Sequence, residues 1–380
     1  MKKIIFTSVL VLILSYVNAQ KNATKDTTQK KLVQKFNEFN KKAEEAFKIL
    51  PFPMITYAQE TGWVFGLVKY NMIQLVKGDT ISPASSFSEL VSWSTSGQKK
   101  AVLGSNMFFA NNTIWLKAET YFIEYPEYIL GTGNDVKRED VEMINTKRFS
   151  FNNAFLYSLN KKNSLYIGIY QEYENYLSVE KDSTSYLIKE NYPGKDGGIS
   201  SGWGFGFAYD TRDNRFNATK GVFIEGNMMA FGRFAKSGFS YNSYFLDIRK
   251  YFKLFGKHVV AMQVRTLSNY GTVPFYSLAK MGGSENMRGY YLGALRDKVM
   301  FDSQIEYRLH IWNIFGMVAF AGAGRVAPSY NSLNFNDLWY SGGIGLRIMV
   351  DTRNRANLRI DFAYGQYGAK AIVLGFTEAF

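Results

Sequence analysis

The chain has 380 residues, with 45 lysines and arginines against 32 aspartates and glutamates, 17% aromatic residues, 33 glycines, 7 prolines and no cysteine. The missing cysteines exclude a disulfide framework, so an exported chain of this kind must draw its stability from elsewhere. The formal net charge of +13 suits anionic lipid, but it also fits any basic exported protein and singles out no partner.

Lys2 and Lys3 precede an apolar run from Ile4 to Val17, and Val17-Asn18-Ala19 closes it on a small residue. This pattern predicts a signal peptide over residues 1–19, cleaved before Gln20. The run is shorter than the ~20 residues a membrane-spanning helix needs, and no later stretch reaches that length free of charges and glycines. Residues 20–50 are polar and lysine-rich, and Leu32, Val33, Phe36, Phe39, Ala43, Ala46, Phe47 and Leu50 recur at helical spacing. The spacing predicts an amphipathic periplasmic helix over Lys31–Leu50, stopped by Pro51 and Pro53. Its apolar stripe needs a partner. A helix that guards the periplasmic mouth of the domain from residue 51 onward is one expectation; a membrane anchor and a docking helix for a separate accessory protein are the others. Some 30 residues are too few for a folded periplasmic domain.

From residue 51 the periodicity becomes two. Ile114, Leu116, Ala118, Thr120 and Phe122 alternate with Trp115, Lys117, Glu119 and Tyr121, and Phe301, Ser303, Ile305 and Tyr307 alternate with Asp302, Gln304 and Glu306. A half-exposed soluble sheet also alternates. Three features favour a membrane. The alternating runs often reach ten residues, where soluble strands run about five or six. Aromatics gather toward strand ends, at Trp312–Phe315 and Trp339-Tyr340, as an interfacial girdle would. The last segment carries Ile372, Leu374, Phe376 and then Phe380, which resembles a C-terminal insertion signal of outer-membrane proteins, although Glu378 breaks its alternation. Spanning strands must pair on both edges, so the expected fold is an all-β transmembrane antiparallel barrel over residues 51–380. About fifteen strands can be counted; an even number is required if both ends lie in the periplasm. Sixteen is therefore expected, with the uncertain strand inside Pro51–Val76.

Asp210-Thr211-Arg212-Asp213-Asn214 and Asp351-Thr352-Arg353-Asn354-Arg355 are near copies and read as short turns. Long loops are expected near Gly131–Thr146, Tyr176–Ser200, Gly271–Lys298 and Gly324–Asp337. The third holds Gly282-Gly283-Ser284-Glu285-Asn286-Met287-Arg288-Gly289-Tyr290. An arginine between glycines suits a loop that folds back into the lumen to meet a carboxylate; a surface loop with one basic residue is the alternative.

Enzyme chemistry finds little purchase. His258 and His310 are the only histidines, both beside expected periplasmic turns and without a second histidine at ligand spacing, so no metal site is expected. A Ser-His-acid lipase on the barrel wall would need a serine within reach of one of them, and an interfacial histidine is the plainer account. Gly322-Ala323-Gly324-Arg325-Val326-Ala327 spells a dinucleotide fingerprint, but Pro328 stands where its helix would start. No catalytic residue, cofactor or nucleic-acid partner is expected.

Several of these segments together resemble the barrel of the BamA/TamA outer-membrane assembly-factor superfamily, also known as bacterial surface antigen: Tyr209–Gly221, Met287-Arg288-Gly289-Tyr290, Gln304-Ile305-Glu306-Tyr307-Arg308 and the closing strands from Gly342. The resemblance covers residues 51–380 and implies the outer membrane of a Gram-negative bacterium. It also implies that the sixth extracellular loop enters the lumen with Gly282, Gly283, Met287, Arg288, Gly289 and Tyr290, and that Glu306 is the docking partner of Arg288. Alternation independently turns Glu306 inward, because a charge on the lipid face at the midplane would cost roughly 2–4 kcal/mol. The sequence departs from the family at Gly322, where an aspartate is frequent, leaving Asp302 or Asp361 to substitute. It departs again before Pro51, where no periplasmic POTRA repeats fit. The implied function is insertion or translocation of proteins or lipids, with outer-membrane lipids, a separate periplasmic accessory protein or client outer-membrane proteins as partners. The alternatives are a passive pore or surface antigen, and, further off, an outer-membrane lipase.

Overall fold

The computed structural model describes Gln34, Glu38 and residues 51–58, 62–134, 141–160, 162 and 164–380. The expected signal peptide and most of the Lys31–Leu50 helix lie outside the described residues; Gln34 and Glu38 are helical and joined by a side-chain hydrogen bond of 3.4 Å.

The wall begins with β1 (Phe52–Ala58), β2 (Gly62–Ile73), β3 (Ser85–Ser94), β4 (Lys99–Phe109), β5 (Ile114–Ile129) and β6 (Glu142–Ser158). It continues with β7 (Leu165–Glu180), β8 (Gly198–Asp210), β9 (Gly221–Phe231), β10 (Tyr241–Lys253) and β11 (Val259–Gly271). A small hairpin, β12 (Ala279–Met281) and β13 (Leu295–Asp297), interrupts the order before β14 (Val299–Trp312), β15 (Phe315–Ala327), β16 (Trp339–Asp351), β17 (Ala356–Gly365) and β18 (Lys370–Phe376). With β11 pairing directly to β14 and β1 to β18, sixteen antiparallel strands close into a barrel, and β12–β13 stands apart. The extra strand needed for parity is in the N-terminal stretch, where β1 and β2 form a hairpin.

Period-two patterning explains which side chains point where. In β8, Trp203, Phe205 and Phe207 are 53%, 70% and 41% exposed on the outer surface while the intervening glycines face the lumen. In β14, Ile305 and Tyr307 are exposed and Glu306 and Arg308 are buried inside. Apolar groups thus meet lipid, and charges fill the interior.

Connections 254–258, 313–314 and 352–355 lie at one end, the turn end, and the longer connections 130–141, 181–197, 272–298 and 328–338 at the other, the loop end. Residues 211–220 depart from the expectation of a simple short turn. This ten-residue connection reaches across the turn-end mouth to its near copy: Asn214 Nδ2 donates to the Asn354 carbonyl at 3.1 Å, and Arg355 Nη1 lies 2.9 Å from Asp213 Oδ2. The Arg215 guanidinium lies over the Phe108 and Trp115 rings, 4.2 and 4.5 Å from their centroids. At the loop end, Tyr276 stacks on Tyr176 at 3.9 Å, and Ile129, Ile144, Leu187 and Phe275 are buried with them.

The seam is uneven. Among the described residues β1 and β18 share two paired positions, Tyr57 with Ile372 and Ala58 with Ala371, against seven between β1 and β2 and seven between β17 and β18. β18 continues to Phe376, whose ring stacks on Tyr70 of β2 at 5.8 Å. The terminal segment also departs from the expectation of one strand running to Phe380. The strand ends at Phe376, Thr377 takes a left-handed φ of 64°, and Glu378, Ala379 and Phe380 turn inward and are buried. Phe380 is therefore an interior residue, packed with Ala218, Tyr251 and Ala261.

Candidate functional site

The sixth loop-end connection, residues 272–298, folds into the lumen. Its base is the β12–β13 hairpin, with Ala279 opposite Asp297 and Met281 opposite Leu295. Its tip carries left-handed φ at Gly282, Gly283, Met287 and Gly289, which lets the chain reverse within nine residues. Gly289 has a second reason to lack a side chain: a Cβ there would stand 2.8 Å from the Tyr364 carbonyl carbon of β17.

Arg288 is the centre. Nη2 lies 2.6 Å from Glu306 Oε1 and Nη1 lies 2.7 Å from Asp361 Oδ2, with all three side chains fully buried. Its guanidinium carbon stands 3.6 Å from the centroid of the Phe320 ring. Each carboxylate is shared. Glu306 Oε2 accepts from Arg308 Nε at 2.9 Å, and Asp361 Oδ1 from Arg347 Nη1 at 2.6 Å, with Arg359 Nη1 3.6 Å from Asp361 Oδ2. Sharing offsets the desolvation cost that a lone buried pair would carry. Gly345, the register partner of Asp361, makes room: a Cβ there would fall 2.0 Å from Asp361 Oδ1.

The remaining motif residues lock the tip. The Tyr290 hydroxyl donates to the Tyr340 carbonyl at 2.7 Å and accepts from the Gln366 N–H at 2.6 Å, while its ring meets Trp339 edge-on. Gly283 N–H donates to the Tyr290 carbonyl. Met287 is buried with Ala279, Met281, Leu295 and Val326. Asn286 and Gln304 both donate to Gln263 Oε1, whose amide holds Asp247.

The structure thus brings Arg288 together with Glu306 and Asp361. Asp302 goes elsewhere. Its carboxylate pairs with Arg265 at 2.6 Å, because register places the two opposite each other on β14 and β11 and leaves Asp302 out of Arg288's reach. At Gly322 a Cβ would lie 3.0 Å from Met287 sulfur and 3.2 Å from both the Ser303 carbonyl and Ser341 Oγ, so Met287 occupies the space an aspartate would need. Sequence reasoning missed Arg296, fully buried and 2.9 Å from Glu127, which pins the loop base to β5. An arginine inside Gly293-Ala294-Leu295-Arg296 was a readable signal. It also missed Arg308, Arg347 and Arg359, the second row of the anchor.

Beside the loop remains a cavity of about 830 Å³ lined by charged and amide side chains such as Lys117, Glu119, Asn152, Glu172 and Arg249. His258 Nδ1 lies 2.5 Å from the Tyr307 hydroxyl and His310 Nε2 3.4 Å from Lys257 Nζ, at the turn end and away from this cluster. No group of histidine, aspartate and glutamate among the described residues is arranged to hold a metal ion.

The barrel wall has counterparts among solved structures. The chain is similar in structure to BamA from Haemophilus ducreyi lacking POTRA domains 1–3, with TM-score 0.53, 16% identity, 85% of this chain and 68% of that one. It is also similar to CdiB from Acinetobacter baumannii, with TM-score 0.52 and 12% identity, covering 85% of this chain and 57% of that one. Identities this low speak for a shared fold alone. No curated protein sequence matches. The Omp85 superfamily domain matches residues 90–376, well over half of the chain and including the loop and all its anchors; the chain belongs to the Omp85 superfamily of outer-membrane β-barrels.

Proposed function

We propose that this barrel inserts or translocates proteins or lipids at the outer membrane, with the β1–β18 seam as the element that opens and the sixth loop as an internal brace. The observation that carries the reading is the two-position seam among the described residues. Among the described residues these two paired positions hold on the order of two main-chain hydrogen bonds, worth about 1–3 kcal/mol net, against seven paired positions in each adjoining ladder. A seam that parts exposes strand edges on which an incoming strand can add. The turn end then faces the periplasm, from which clients arrive.

A passive pore or surface antigen is the second reading. A lumen crossed by residues 272–298, covered at the turn end by residues 211–220 and at the loop end by the Tyr176–Tyr276 cluster, favours assembly over steady conduction. An enzymatic role draws no support from the placement of His258 and His310. The test is reconstitution of the purified barrel into liposomes with an unfolded client outer-membrane protein. Faster client folding than in empty liposomes supports the proposal; no acceleration together with steady single-channel conductance overturns it in favour of the pore.

A further inference from the structure

Residues 377–380 belong to no strand, yet they touch the elements that hold the sixth loop. Glu378 Oε2 lies 2.7 Å from Arg347 Nε and Glu378 Oε1 accepts from Asn357 Nδ2 at 2.5 Å. Arg308 Nη2 donates to the Phe380 main-chain oxygen at 2.8 Å, and Arg308 Nη1 reaches the Ala218 carbonyl of the 211–220 connection. The Glu378 N–H donates to the Phe216 carbonyl. Two unbroken chains of contacts result. One runs Arg288–Glu306–Arg308–Phe380; the other runs Arg288–Asp361–Arg347–Glu378.

We propose that residues 377–380 are a latch that couples the closing strand β18 to the docked sixth loop, with Glu378 as its positioning residue. The physical reason lies in the shared arginines. Arg308 and Arg347 each divide their donors between a loop-anchoring carboxylate and the latch, so withdrawing the latch leaves buried donors unmet and frees both arginines to turn away from Glu306 and Asp361. Displacing β18 at the seam drags residue 377 with it, and the loop loses its second row of support. By linkage the effect runs both ways: releasing the loop must loosen the latch by the same factor. Thr377 sets the poise. A β-branched residue at φ 64° is strained, and the strain favours leaving the inward turn. The purpose of such a latch, though not its geometry, rests on the proposal that the seam opens.

The test uses the full chain purified from outer membranes and two readouts: the rate of proteolytic cleavage within residues 272–298, and maleimide modification of Ala379→Cys, a lone thiol in a cysteine-free chain. Glu378→Gln is expected to raise loop cleavage about tenfold, and Arg288→Ala to raise modification of Ala379→Cys by a similar factor. Thr377→Gly, which relieves the left-handed strain, should lower both. If Glu378→Gln exposes Ala379→Cys while loop cleavage stays unchanged, the segment only fills space and the latch is wrong. Should Glu378→Gln fail to fold, Arg288→Ala decides alone, since a reporter that stays protected after loop release overturns the coupling. Neither readout involves a client, so loss of the assembly reading would leave this result standing, and the reverse.

Discussion

Removing Arg288 is the sharpest perturbation the loop anchor offers. Arg288→Ala deletes two charge-assisted contacts of 2.6 and 2.7 Å and the stacking on Phe320, but it leaves neither acid stranded: Glu306 keeps Arg308, and Asp361 keeps Arg347 and Arg359. Breaking a buried pair costs about 3–5 kcal/mol when the partner is left alone, so the lower end applies. About 3 kcal/mol corresponds to roughly a hundredfold rise in the population of released loop. Asp361→Asn should match or exceed Glu306→Gln, because Asp361 serves three arginines and Glu306 two. The double variant Arg288→Ala/Glu306→Ala should cost less than the sum of the singles by about 2 kcal/mol, since each single already breaks the shared contact. Cleavage of residues 272–298 by a protease at several denaturant concentrations reads this population, and mobility on gels with and without heating reports whether the barrel remains closed. Additive effects, or no change in loop cleavage in any of the variants, would refute the anchor.

The same geometry sets further expectations. Gly322→Asp should loosen the loop in the native background, where its Cβ would press on Met287 sulfur at 3.0 Å, and tighten it only alongside Met287→Ala; loop cleavage rates separate the two. Arg296→Ala should raise protease sensitivity at the loop base through loss of Glu127, and Arg296→Lys should not restore it, because one ammonium cannot also meet the Tyr128 and Gly293 carbonyls. At the turn end, burial pushes the Asp213 carboxyl up, but Arg355 at 2.9 Å and the N–H groups of Thr219 and Lys220 outweigh it and hold the group at about 2. A depressed pKa gives stability that is fully present above the unfolded value of about 4 and lost as pH falls through about 2. Nicking of residues 211–220 by an acid-active protease should thus rise over that window, and Asp213→Asn should flatten the rise.

Much of the wall was readable because its periodicity is set by lipid: Glu306 had to point inward once Ile305 and Tyr307 pointed out, and Arg288 then had a visible acid to seek. What the sequence concealed depends on closure. Asp302 and Asp361 looked equivalent by type, and only the registers of β14 with β11 and of β17 with β16 assign one to Arg265 and the other to Arg288. Asp210–Asn214 read as a short turn because Asp and Asn favour turns, whereas the connection runs to residue 220 and Asn214 meets a second turn about 140 residues away in sequence. Phe380 looked like a strand aromatic. The broken alternation at Glu378 was the sign that the chain bends inward, but its carboxylate's partner, Arg347, becomes visible only when β16 is in place.

The proposed activity needs a seam that opens, and locking that seam is the direct test. Tyr57 and Ile372 are paired across β1 and β18, and paired Cα atoms of an antiparallel ladder lie about 4.5–5.5 Å apart, within the reach of a disulfide. Cells that depend on a Tyr57→Cys/Ile372→Cys variant should lose the activity of this barrel under oxidising conditions and regain it on adding reductant, while each single cysteine stays active. Full activity with the cross-link formed in most molecules would contradict an opening seam.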